Sequence, residues 1–246
     1  MTKVLLITGG SRGIGAATAR MAITDGYSVA VNYVGDKKAA DALVHELGKR
    51  AFAIQGDVSK PADIVRMFDE TENAFGPMTH LVNSAGITGK SSRLDRADAQ
   101  TIVDTIAINL TGTILACQQA VARMSTQHGG KGGVIVNLSS AAATIGSPGE
   151  YTWYAAAKGG VDSFTLGLAK EVAMEGIRVA SVTPGMTDTE IHTRSSGDQA
   201  RVKRIRPSIP LQRIGTADEI ANAIMFLLSD KASYITGTTL RVAGGR

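Results

Sequence analysis

Apolar positions along this chain alternate between two rhythms. Short continuous apolar runs, the mark of strands buried on both faces, occur at residues 3–8 (K-V-L-L-I-T), 27–33 (Y-S-V-A-V-N-Y), 51–55, 80–83, 134–138, 177–182 and 238–242. Between them the apolar residues recur at three- and four-residue spacing, which predicts helices. These cover 14–24, with Gly26 as a stop, 37–49, with Gly48 near the end, and 61–75, with Pro61 in the first turn. Residues 97–127 read as one long helix or two abutting ones. A further helix carries Tyr154 and runs to about 175, and an amphipathic one covers 217–228. Strands alternating with helices from end to end predict an α/β fold: a doubly wound, mainly seven-stranded parallel sheet with helices on both faces, in a single domain. No internal repeat, linker or low-complexity segment interrupts the pattern.

Composition narrows the class. With 246 residues, 43% hydrophobic and 20% charged, the chain can bury a sizeable core and is not a disordered type. A net charge of +4 is only modestly basic, and the few aromatics do not interleave with the basic positions, so no nucleic-acid partner is expected. Cys117 is the only cysteine, which excludes an internal disulfide and a cysteine metal site. His45, His80, His128 and His192 have no ligand spacing, so no metal is expected. The opening M-T-K-V-L-L-I-T-G-G is too short for a signal h-region, and no apolar run approaches the ~18 residues of a membrane span. The expectation is a cytoplasmic protein without a membrane partner.

Candidate chemistry starts with Tyr154 and Lys158. Four residues apart on a helix, they share one face, and an ammonium beside a phenol lowers the tyrosine's affinity for its proton from the ordinary pKa of about 10. Taken alone, the pair is read first as an ordinary amphipathic helix with a surface lysine and a core tyrosine. The turn T-G-G-S-R-G-I-G at 8–15 is more telling, because it lies between a predicted strand and a predicted helix. Gly9, Gly13 and Gly15 leave room for a pyrophosphate, with Ser11, Arg12 and Ile14 around it, and the helix start offers unpaired amides. The second strand ends Asn32, Tyr33, Val34; Asn32 and Tyr33 are cofactor-binding candidates by that position, and no acid comes before Asp36 to take a ribose 2′-hydroxyl. Arg12 in the glycine turn and Lys37 and Lys38 beyond the strand favour a 2′-phosphate, so NADP is preferred and NAD is the alternative.

Several motifs together resemble the compact short-chain dehydrogenases/reductases over nearly the whole length. They are T-G-x-x-x-G-x-G at 8–15, Asp57-Val58, N-x-A-G at 83–86, Asn109, Ser139-Ser140, Tyr154-x-x-x-Lys158, Pro184-Gly185 and the tail from Ile209. V-N-Y after the second strand and S-P-G-E-Y before Tyr154 resemble bacterial glucose-dehydrogenase-like and 3-oxoacyl-reductase-like members. The resemblance implies a Rossmann fold, a homotetramer or dimer, and an oxidoreductase that interconverts a small-molecule carbonyl and a secondary alcohol. It implies Tyr154 as acid/base, Lys158 holding the nicotinamide ribose and depressing the tyrosine pKa, and Asn109 ordering a water that links Lys158 to solvent. It also implies Asp57 and Val58 at the adenine and Asn83, Ala85 and Gly86 along the cofactor cleft. Pro184, Gly185, Thr187 and Thr189 belong around the nicotinamide.

Two serines compete for the carbonyl oxygen. Ser140 precedes Tyr154 by 14 residues, one more than in many relatives, and Ser139 lies farther still. The second serine of the family's pair is the catalytic one, so Ser140 is chosen and the Ala-rich loop absorbs the extra residue. Tyr151 has Ala155 where a lysine would be needed and is expected to pack in the substrate loop. A substrate lid is expected at about 186–213. Its basic residues Arg194, Arg201, Lys203, Arg204, Arg206 and Arg213 are read first as a solvated face and second as a draw for an anionic substrate. His192 is left out of the site. Alternative functions are an NAD-preferring sugar or polyol dehydrogenase and a non-catalytic nucleotide sensor or scaffold; the second predicts a lost Tyr, Lys or Asn, and none is lost.

Overall fold

The computed structural model describes residues 3–189 and 201–246. Seven strands form one parallel sheet: β1 (Val4–Thr8), β2 (Ser28–Tyr33), β3 (Ala51–Gln55), β4 (His80–Asn83), β5 (Gly133–Leu138), β6 (Ile177–Pro184) and β7 (Thr239–Val242). Their order is β3-β2-β1-β4-β5-β6-β7. The chain winds outward from β1 to β3 and then returns to place β4 on the other side of β1. That reversal opens a crevice at the carboxyl ends of β1 and β4, where doubly wound sheets bind ligands. Register pairs Thr8 with Asn83, and Thr8 Oγ1 accepts from the amides of Ser84 (3.1 Å) and Ala85 (3.2 Å), which pins the two strand ends together.

The helices are α1 (Gly13–Thr24), α2 (Lys37–Leu47), α3 (Pro61–Phe75), α4 (Ala99–Ile106), α5 (Gly112–Met124), α6 (Ala142–Ile145), α7 (Thr152–Val172), α8 (Arg201–Ile205) and α9 (Ala217–Leu228). Alternate strand residues point to opposite faces. Leu5 and Ile7 therefore join Val29 and Val31 under α1 and α9, with Ala16, Ala19, Ile220 and Ile224. Val4 and Leu6 join Ala30, Leu81 and Ile135 on the other face, against Met67 and Phe68 of α3 and Ala116 and Ala120 of α5. Two covered faces explain why the strands read as continuous apolar runs.

Residues Ala107–Thr111 are a π-helical segment joining α4 to α5, so the long stretch is continuous but changes winding midway. On length and composition alone, Ala99–Met124 could cross a membrane, contrary to the sequence expectation. Part of its apolarity serves the sheet: Ala116, Cys117, Ala120 and Met124 are fully buried in that core. Neither α6 nor α8 was legible, because four and five residues are too few to show a helical period.

Candidate active site

The glycine turn after β1 is shaped by contacts no other residue allows. Gly9 and Gly13 have φ of +61° and +50°, the left-handed region. A Cβ on Gly9 would stand 2.7 Å from Ala85 Cα, and one on Gly15 would stand 2.6 Å from the Gly9 carbonyl oxygen. Gly15 thus packs the turn onto α1 rather than lining the cleft. Arg12 is the N-cap of α1 and supplies no side-chain cap, and the first turn carries no acid. The first amides of α1 are left for an anion.

The cleft beside this turn has a volume of about 1160 Å³. Of the sequence-derived candidates, Gly9, Ser11, Arg12, Gly13, Ile14, Asp57, Val58, Ala85, Gly86, Asn109, Ser140, Tyr154, Lys158, Pro184, Gly185, Thr187 and Thr189 line it. Gly15, Asn32, Tyr33 and Asn83 lie outside its lining. Asn32 is buried: its Oδ1 accepts from Gly9 N at 3.0 Å and its Nδ2 donates to the Gly56 carbonyl at 2.9 Å, so it holds the glycine turn from behind. Asn83 is buried beneath the cleft, donating to Asn137 Oδ1 at 2.9 Å, and Asn137 in turn donates to Thr165 Oγ1 at 2.9 Å. Past Tyr33 the chain turns, and Val34, Gly35 and Asp36 reach the cleft instead. Asp36 caps α2 by accepting from Ala39 N at 2.8 Å and also forms an ion pair with Arg12. In the sequence this acid stands beyond the strand; the turn brings it back to Arg12.

On the opposite side α7 carries Tyr154 and Lys158, both buried. Lys158 Nζ donates to the Leu138 carbonyl at 2.6 Å, and Ser139 Oγ donates to the Lys158 carbonyl at 3.2 Å. These bonds fasten α7 to the end of β5 and commit the Ser139 hydroxyl to structure. Ser140 Oγ accepts from Ala142 N at 3.1 Å, and its hydroxyl adjoins Tyr154 and favours the ionised phenol. The Ala-rich loop that follows Ser140 closes into the single turn of α6.

Burial is the largest influence on Tyr154 and raises its pKa; Ser140 and the charge of Arg201 oppose it. Lys158 stands beside this phenol as well, its ammonium 5.9 Å from the Tyr154 ring centroid. Burial pushes Lys158 itself down to about 8, against the charge of Asp162. Asn109 lies in the π-helical segment, where the altered winding turns its amide inward. Its Nδ2 donates to Ile87 O at 2.7 Å and Thr105 O at 2.8 Å, while Oδ1 is buried without a partner among the described residues. A Cβ on Gly86 would stand 2.6 Å from that oxygen and 3.7 Å from Lys158 Nζ, so the glycine keeps open the space both groups face.

The basic stretch divides. Arg194 and His192 lie outside the described residues. Arg206 and Arg213 are exposed, the first donating to Gln212 O at 2.6 Å and the second ion-paired with Glu219 at 2.6 Å. Arg201 is buried, contrary to the solvated reading, and it lines the cleft with Glu150 and Tyr151. Nothing in the sequence pointed to this cluster, since its members meet only through the fold.

A switch-point crevice holding an uncapped helix start and a Ser-Tyr-Lys-Asn wall defines a Rossmann-type oxidoreductase. The chain belongs to the short-chain dehydrogenase/reductase family. Residues 9–246 match the family model described as enoyl-(acyl carrier protein) reductase. The chain is 47% identical to the uncharacterized oxidoreductase YgfF of Escherichia coli, covering 99% of each. It is 41% identical to the 3-oxoacyl-[acyl-carrier-protein] reductase FabG of Staphylococcus aureus, covering 100% of this chain and 98% of that one. Among solved structures it matches a 3-ketoacyl-(acyl-carrier-protein) reductase from Brucella melitensis complexed with NADH at TM-score 0.91 and 33% identity, over 99% of this chain and 98% of that one. A short chain dehydrogenase from Burkholderia cenocepacia in complex with NADP matches at TM-score 0.91 and 35% identity, over 99% and 97%.

Proposed function

We propose that this oxidoreductase is NADP(H)-dependent and interconverts a small-molecule carbonyl and a secondary alcohol, with Tyr154 as the acid/base. The observation that carries it is one cleft in which Tyr154, Ser140, Lys158 and Asn109 face the open start of α1. The residues present fit the cofactor. The first amides of α1, with Ser11 and Arg12, would hold its phosphates, Asp57 and Val58 its adenine, and Pro184, Gly185, Thr187 and Thr189 its nicotinamide end. When bound, the nicotinamide supplies hydride in reduction and accepts it in oxidation.

The chain's own residues manage the proton. Ser140 donates a hydrogen bond to the carbonyl oxygen, and Tyr154 gives that oxygen its phenolic proton as negative charge develops there. Burial keeps Tyr154 protonated at neutral pH, the form reduction requires. Lys158, pushed down to about 8, can release a proton near neutrality to restore the phenol. The unpartnered Oδ1 of Asn109 suits a water that carries the proton onward, because a buried acceptor without a partner costs about 1–3 kcal/mol.

NADP preference rests on Arg12, whose guanidinium a 2′-phosphate would engage in place of Asp36. One observation favours NAD instead: Asp36 lines the cleft and is an acid of the kind that takes a ribose hydroxyl. Arg12→Ala is expected to lower the NADPH-to-NADH ratio of kcat/KM by roughly 10- to 100-fold, the worth of a charge-assisted hydrogen bond. An unchanged ratio sinks the NADP reading.

Assembly as a homotetramer is part of the same reading. Exposed Val103, Ile114 and Leu166 on α4, α5 and α7 offer apolar surface for helix pairing. Light scattering at micromolar concentration should return the tetramer mass; a monomer mass refutes the assembly.

A further inference from the structure

A second cluster stands on the Tyr154 side of the cleft, and the proton chemistry above makes no use of it. Arg201 is only 6% exposed. Its Nε and Nη2 donate to the two carboxylate oxygens of Glu150 at 3.1 and 2.9 Å, and Nη2 also donates to the Tyr151 hydroxyl. The guanidinium carbon lies 5.3 Å from the Tyr151 ring centroid, and that ring meets the Tyr154 ring nearly perpendicular at 5.5 Å. A guanidinium taken out of water costs several kcal/mol unless it is paired, and a buried ion pair is a weak source of stability. Its position one ring away from the acid/base is what needs explaining.

We propose that Arg201 is a positioning residue for Tyr154: clasped by Glu150 and Tyr151, it fixes the Tyr151 ring against Tyr154 and keeps a positive charge beside that phenol. The inference rests on Tyr154 being the acid/base. Charged and titratable groups reach this part of the cleft from several elements. Lys158 is on α7 itself, Glu150 and Tyr151 stand at its start, and Arg201 and Arg204 come from α8. Lys90, from the loop after β4, and Arg246 also line the cleft. Arg204 pairs with Glu150 at 3.5 Å. Glu150 is held in its ionised form by Arg201 first and Arg204 second, so the clasp is intact at neutral pH. Of these charges, that of Arg201 opposes burial and eases loss of the Tyr154 proton. Lys158 serves the proton relay and the ribose, while Arg201 biases the phenol from the other side. Only the Tyr151 ring stands between the guanidinium and the Tyr154 ring, so the charge acts across a packed, partly desolvated contact.

The test is an ultraviolet titration of tyrosinate absorbance. Subtracting the titration of Tyr154→Phe from that of the parent protein isolates Tyr154. In Arg201→Gln the Tyr154 titration should move to higher pH, whereas in Arg201→Lys, which keeps the charge, it should stay close to the parent. For alcohol oxidation at neutral pH, kcat/KM should fall about tenfold in Arg201→Gln with cofactor KM unchanged, because less phenolate is present to act as base. Should Arg201→Gln fail to fold, Arg201→Met fills the same buried space without the charge and leaves Glu150 paired with Arg204; it should show the same rise. A Tyr154 titration in either variant that overlays the parent overturns the proposal, as does an equal rise in Arg201→Lys. The absorbance titration needs no substrate, so it judges Arg201 even if Tyr154→Phe retains turnover and the acid/base reading fails.

Discussion

Tyr154→Phe is expected to lower kcat/KM for carbonyl reduction by about 10³-fold, within the 10²–10⁴ range of a positioned general acid. The substitution removes only the hydroxyl. The ring keeps its edge contact with Tyr151 at 5.5 Å and its buried place on α7, so the fold and the cofactor cleft remain. Burial raises the Tyr154 pKa, so at neutral pH the phenol keeps the proton that the proposed reduction needs. Without it the developing alkoxide must take its proton from water, while Ser140 still donates its hydrogen bond. Steady-state kinetics with NADPH and a carbonyl panel, alongside cofactor binding by nicotinamide fluorescence, measure both halves. Loss of turnover with unchanged cofactor affinity is the expected pair; turnover within threefold of the parent removes Tyr154 from the mechanism.

Gly9→Ala is expected to destabilise the protein by roughly 3 kcal/mol, from the left-handed penalty of about 1–2 kcal/mol and a steric term of similar size. At φ +61°, the new Cβ would lie 2.7 Å from Ala85 Cα and 2.9 Å from Ala85 N. Those neighbours are backbone, pinned by the bonds from Ser84 and Ala85 to Thr8, so they cannot move aside as a flexible side chain would. For a chain of this length the melting temperature should fall by about 6–12 °C. Gly167→Ala is the control: it lies within α7, a Cβ there meets nothing within 4 Å, and its φ is not positive. That change should stabilise by about 0.5–1 kcal/mol. Calorimetry that finds equal melting temperatures for the two variants would falsify the steric account of the turn.

The contrast between these two glycines shows which features a sequence can carry. Both are single glycines next to or within a helix, and only Gly9 follows a buried strand and opens a crevice. Local rules therefore reached the T-G-G-S-R-G-I-G turn, because a strand, a glycine run and a helix start are adjacent in the chain. They also reached the seven strands, since burial on two faces leaves a continuous apolar run, and the Tyr154–Lys158 pair, since one helical turn joins them. Ser140 over Ser139 was legible only through the resemblance. In the structure both serines line the cleft, and the Ser139 hydroxyl donates to the Lys158 carbonyl.

What the sequence determined by itself is the alternation of buried strands and amphipathic helices, and with it the crevice and the residues within one turn of each other. Tertiary structure alone decided the rest, because those contacts join residues far apart in the chain. Asn32 was assigned to the cofactor from its position at a strand end, yet its amide is consumed by Gly9 and Gly56 across neighbouring strands. Asp36 was discounted for distance along the chain, yet a turn carries it back to Arg12. Arg201 read as one cation in a solvated run, yet folding buries it against Glu150 and Tyr151. In each case a hydrogen bond or ion pair with a distant partner sets where the side chain points, and spacing along the chain does not encode that partner.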